Sequence, residues 1–143
     1  MINKVITSHS LDELISVLDV QVYDDKYSRW VKNGEVRVCD IWDVIDDTLM
    51  MTVIDHRSDG DDIQQSITGI LHHIGAVANV DAEDFQQAHE WITKFNEISN
   101  DVVIVGFGES WDDADSVALL ALTGDQWRKI LQIRELAELF YVI

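Results

Sequence analysis

Val102-Val103-Ile104-Val105-Gly106-Phe107 and Val117-Ala118-Leu119-Leu120-Ala121-Leu122, separated by Gly108-Glu109-Ser110-Trp111-Asp112-Asp113-Ala114-Asp115-Ser116, form the stretch that decides the fold. Two apolar runs of strand length flank a polar segment with turn chemistry, so the region predicts an antiparallel hairpin near 102–122. Immediately afterwards Thr123-Gly124-Asp125-Gln126 has the form of a capping box, in which the two end side chains satisfy orphan amides at a helix start. The helix it opens carries Trp127, Ile130, Leu131 and Arg134 and is expected to run towards Glu138. Leu139-Phe140-Tyr141-Val142-Ile143 is too apolar for a free tail. It must dock on the core, add to a sheet or meet a second subunit.

Upstream of the hairpin, Ile63, Ile67, Ile70, Leu71, Ile74 and Val77 recur with helical period behind Asp59-Gly60-Asp61-Asp62. Asp81 is read as the start of another helix, with Phe85, Ala88, Trp91, Ile92, Phe95 and Ile98 on its buried face. The short loop near Val80 predicts that these two helices are antiparallel neighbours. Further back, Ser10-Leu11-Asp12-Glu13 also fits a capping box, with Leu11, Leu14, Ile15 and Leu18 at helical spacing over 11–19. Asp24–Val31 reads as a short helix ending at the turn pair Asn33-Gly34, and Glu35–Cys39 as a short strand. In 40–54 the first part fits a helix and Leu49–Ile54 fits a strand.

These elements predict an α+β fold, with amphipathic helices packed on a small, mainly antiparallel sheet. The length of 143 residues is that of one ordinary domain, no composition shift divides it, and residues 1–143 are expected to form a single domain. With 47% hydrophobic residues and five tryptophans the chain has the material for a core, which argues against disorder. Asp12, Glu13 and Asp19 interrupt the first apolar positions, which fits neither a signal nor a transit peptide. Cys39 is the only cysteine, so no intrachain disulfide forms and a reducing, cytoplasmic setting is the simpler expectation. As a small, weakly polar side chain, Cys39 is expected to be buried.

Charge is the strongest signal. Twenty-seven acids against ten bases give −17, beyond the magnitude of about 2–8 that solubility needs, and self-repulsion at that charge weakens a fold. The acids gather at Asp40/Asp43/Asp46/Asp47, at Asp55/Asp59/Asp61/Asp62 and at Glu109/Asp112/Asp113/Asp115, the last set enclosing Trp111. The bland reading is that each set is a solvated face. Adaptation to high salt is a second bland reading, but sixteen isoleucines and five tryptophans fit it poorly.

Motifs for chemistry fail on inspection. Asp55 to Gly60 has a calcium-loop outline, yet Arg57 stands where an oxygen ligand belongs and Ser66 replaces the bidentate Glu. A solvated turn capping the next helix is the expectation there. Asp112, Asp113 and Asp115 have no accompanying phosphate clamp for magnesium. His72 and His73 point about 100° apart on a helix and cannot chelate together, so one is expected exposed and the other at the core's edge. Gly106-Phe107-Gly108 lacks the rest of a phosphate loop, and reads as a bulge or turn. Lys26, Arg29 and Lys32 lie at helical spacing, but the bases are otherwise scattered, which disfavours direct nucleic-acid binding. No catalytic residue, metal or cofactor is indicated, and no membrane span.

Three functions follow as expectations. In the first, the chain is an acidic inhibitor or immunity/anti-defence protein that occupies the basic surface of a nucleic-acid enzyme, with Trp111 as an aromatic anchor among the acids. In composition it resembles the acidic DNA mimics of phages and mobile elements, without a shared motif. The second is a small acidic chaperone or adaptor for a secreted or other client, dimerising through the apolar C-terminal end. The third is an enzyme of unfamiliar type using paired carboxylates. The first requires separate aspartate segments to meet on one side of the molecule.

Overall fold

In the computed structural model, which describes residues 4–46, 51–108 and 110–143, the hairpin forms the centre of the molecule. β5 (Val102–Phe107) pairs antiparallel with β6 (Ser116–Thr123), in the register Ile104↔Ala121 and Phe107↔Ala118. β4 (Met51–Asp55) joins the other side of β6, and β7 (Phe140–Val142) joins β5, giving the antiparallel order β4-β6-β5-β7. The apolar C-terminal end is therefore used as an edge strand, with Leu139 and Phe140 buried.

From Val117 to Leu122 β6 is apolar, because both of its faces are covered there. Val117, Leu119 and Ala121 meet α4 (Gly60–His73) and α5 (Phe85–Ile98). Ala118, Leu120 and Leu122 meet a layer built from α1 (Ser8–Leu18), α3 (Val38–Asp46), α6 (Gly124–Leu131) and α7 (Arg134–Ala137). In that layer a small antiparallel sheet joins β1 (Val5–Thr7), β3 (Glu35–Arg37) and β2 (Val31–Lys32), with α2 (Asp24–Trp30) leading into β2. Seven helices and two antiparallel sheets among the described residues make the predicted single α+β fold.

Local signals succeed where the partner lies within the same segment. Both halves of the Thr123/Gln126 capping box are made. Asn33 and Gly34 take positive φ (54° and 75°) between β2 and β3, as a tight hairpin turn requires. Asp59 caps α4 by accepting from the Asp62 N–H at 2.8 Å, as the solvated-turn reading of 55–60 expects.

Other expectations are corrected. The cap of α1 is Thr7, not Ser10, whose buried hydroxyl donates to Glu135 at 2.7 Å. α5 is opened by Asp84, not Asp81. The helix after Thr123 ends at Leu131, and a separate short helix α7 follows. Cys39 is exposed, as are both His72 and His73. Val77 and Ile98, assigned to buried stripes, are 94% and 78% exposed.

The largest correction concerns α4 and α5. An added Cβ at Gly60, the first residue of α4, would lie 3.3 Å from Glu83 Cα, which places the start of α4 against the start of α5. The two helices therefore run in the same direction. The chain returns between them through 76–82, an extended segment in which Ala76, Ala78, Val80 and Ala82 face the core while Val77, Asn79 and Asp81 face out. Gln64 Nε2 donates to Ala82 O from α4, and Trp91 Nε1 to Asn79 O from α5. Side-chain donors from both helices thus stand in for a strand partner on this segment. Its alternation has the period of a strand, but the two partners are helices.

Candidate functional site: the acidic end of the sheet

The antiparallel registers put three acidic segments at one end of the four-stranded sheet. Asp55 lies opposite Ser116, and His56 Nδ1 lies 3.3 Å from Asp115 O, so the 55–62 turn adjoins the 108–115 loop. The ring of Phe85, first residue of α5, stacks on Trp111 with centroids 4.5 Å apart, which adds 81–84 to the group. The result is Asp59, Asp61 and Asp62, then Asp81, Glu83 and Asp84, then Asp112 and Asp115, all exposed. Asp55 is partly buried and is engaged in its own turn, accepting from Arg57 N at 2.7 Å. Arg57 and the imidazole of His56 also lie at this end, both exposed.

Of the three sets whose meeting the first function requires, the described members of the second and third adjoin. The segment 81–84, not singled out from sequence, completes the group in place of the first set. Asp40 and Asp43 stand on α3, in the layer across the sheet. There Asp40 is held by Arg37, which donates Nε and Nη2 to its two oxygens at 3.0 and 3.2 Å. Asp43 is exposed. Asp47 and Glu109 fall outside the described residues, and of Asp46 and Asp113 only the backbone is described.

Trp111 does not stand out as an anchor. Its side chain is 7% exposed, sandwiched by Phe85 and the edge of His89, whose ring centroid is 5.1 Å away. An aromatic among four polar neighbours invites an exposed reading, but the small residue Ala114 and the turn geometry of 111–113 fold the indole inward. Nearby, Tyr141 on β7 lies over Gly106, where an added Cβ would come within 2.3 Å of the ring. Burial, with a smaller contribution from the charge of Asp112, pushes the Tyr141 hydroxyl up to about 12. Glycine at 106 thus makes room for a ring, and Gly108, at φ 92°, makes the turn out of β5.

The chemistry of this end is electrostatic. Both 14-residue helices of the layer direct their N-termini here, where Asp59 and Asp84 accept amide hydrogens and the helix dipoles favour negative charge. Carboxylates on neighbouring segments within a Debye length of about 8 Å reinforce one another's field at physiological salt. Among the described residues no group of three or more His, Cys, Asp or Glu has the arrangement of a metal site. No described helix is long and apolar enough to cross a membrane. Comparison with protein-family models, with curated proteins and with solved structures returns no match for this chain.

Proposed function

We propose that this protein is an acidic binding protein that occupies the basic, nucleic-acid-binding surface of a partner protein and thereby inhibits it, the acidic end of the sheet standing in for phosphates. The observation that carries this reading is the meeting of 59–62, 81–84 and 112–115 at one end. The total surface of 8148 Å² shared by 17 net charges would give about 480 Å² per charge if spread evenly. Duplex DNA carries one charge per ~1.7 Å of axis, so mimicry depends on gathering charge locally. A field of this kind raises association rates by about 10–10³-fold at low salt.

With Trp111 buried, specificity on this reading comes from the arrangement of the carboxylates on a rigid base. The proposal is compatible with a phage or mobile-element inhibitor and with a cytoplasmic site of action. It is tested by affinity purification from the native host at low salt, followed by association kinetics with the captured protein. The expected partner is basic, is released by salt, and binds at least tenfold more slowly to the variant Asp61→Asn/Glu83→Gln/Asp112→Asn/Asp115→Asn. Capture of a non-basic client whose association ignores both salt and this variant would instead support the chaperone reading and end the mimicry one.

A further inference from the structure

On the opposite layer a cleft of about 420 Å³ opens between α2 and the β2–β3 hairpin, lined by Val5, Arg29, Trp30, Lys32, Glu35, Arg37 and Asp40. Three of the ten bases of a strongly acidic chain surround this one cleft. Elsewhere Lys4 pairs with Glu138 at 3.0 Å, Arg134 approaches the same carboxylate at 3.7 Å, and Arg128 pairs with Asp125. Arg29 comes from the end of α2 and Lys32 from β2, and the β2–β3 turn adds Arg37, which sequence alone does not associate with them.

We propose that this cleft binds a small aromatic oxyanion, a phosphate or carboxylate carried on a flat apolar body. Its volume lies within the range of about 300–1,000 Å³ usual for small-molecule sites, and it combines an apolar surface with a few polar groups. Trp30 and Val5 supply the apolar wall. The cations around it are incompletely engaged. Arg29 is 3.9 Å from Asp25, beyond hydrogen-bond distance, and Lys32 Nζ gives one of its three hydrogens to Ser28 O at 3.2 Å. Asp40 takes two of the five N–H groups of Arg37 and so fixes the guanidinium plane without exhausting it. Planar guanidinium groups recognise carboxylate and phosphate oxygens in pairs, which gives Arg29 and Arg37 the orienting role and Lys32 that of a point charge. Glu35 and Asp40 on the rim favour a ligand with a single anionic group over a polyanion.

The test is amide and indole chemical-shift mapping with phenyl phosphate, benzoate, inorganic phosphate and the neutral benzyl alcohol. Phenyl phosphate or benzoate is expected to move the Trp30 indole and the 29–40 amides at millimolar concentration, the stronger of the two identifying the oxyanion. The exposed double variant Arg29→Gln/Lys32→Gln should weaken that binding about tenfold while leaving the remaining spectrum in place, and Arg37→Gln should do the same independently. Equal binding of benzyl alcohol, shifts spread over the whole surface, unchanged affinity in both variants, or no response to either aromatic anion would each overturn the proposal.

Discussion

At the seam between α1 and α7, Glu135 accepts from the Ser10 hydroxyl at 2.7 Å, from the Thr7 hydroxyl at 2.8 Å and from the Thr7 N–H at 3.3 Å. At the acidic end of the sheet, Asp61, Glu83, Asp112 and Asp115 are exposed, and among the described residues none has an ion-pair partner. One region uses its carboxylate as an internal fastener. The other displays its carboxylates on a base held by aromatic contacts, Phe85 on Trp111 and Tyr141 over Gly106. The difference teaches that a charge of −17 is not one property: some acids fasten the structure, as Glu135 does, and others gather at one end of the sheet.

The strongest way to break this contrast is to disturb the base beneath the field. Gly106→Ala forces the Tyr141 ring from its seat and is expected to destabilise the protein by about 2–3 kcal/mol in urea unfolding. An unchanged midpoint would mean that the ring does not hold the end together. Next in size, Glu135→Gln should lower stability by about 1.5 kcal/mol, since the donors at the seam face a neutral amide. The bond from Ser10, then those from Thr7, hold the Glu135 carboxyl below its ordinary value, against the opposing effect of desolvation. Its contribution is therefore complete above the unfolded value near 4.5 and is lost as pH falls through the lowered folded value. Melting curves of wild type and variant at stepped pH should converge on acidification.

A smaller effect sharpens the boundary between the two roles. Asp84→Ala removes the cap of α5 and should cost about 1 kcal/mol, because this acid belongs both to the field and to the helix. The smallest effects belong to the display residues. Asp61→Asn, Glu83→Gln, Asp112→Asn and Asp115→Asn should each change stability by less than about 0.5 kcal/mol at physiological salt, measured by thermal unfolding. A loss of more than a kilocalorie at any of them would move that residue into the structural class.

The contrast also explains what can be read from the chain. The β5–β6 hairpin, the stripe of α4 and the Thr123 capping box depend on residues a few positions apart, and all three are legible. Ser10 and Thr7 both stand where a cap can form, and the choice between them involves Glu135, more than a hundred residues later, which occupies the Ser10 hydroxyl. The shared direction of α4 and α5 is hidden for a related reason. Helical period alone extends α4 to Val77, whereas the structure ends it at His73 and makes a turn at Gly75, with φ 79°. That leaves enough chain for 76–82 to travel back. Asp81, Glu83 and Asp84 reach the acidic end through this return, so their part in the site is invisible until the path is known. Arg37 joins the cleft of Arg29 and Lys32 in the same way, through a turn.

The central position of β6 has a consequence for how the molecule assembles. Its pairing with β5 is nearby in sequence, while its other edge is closed by β4, which enters from a distant part of the chain. Non-local pairing is slow because the entropy of closing a long loop comes first. During that interval Val117–Leu122 is an uncharged, proline-free run of the kind that templates contact between copies. Asp112, Asp113 and Asp115 immediately precede it in sequence, so their charges guard an unfinished sheet against itself.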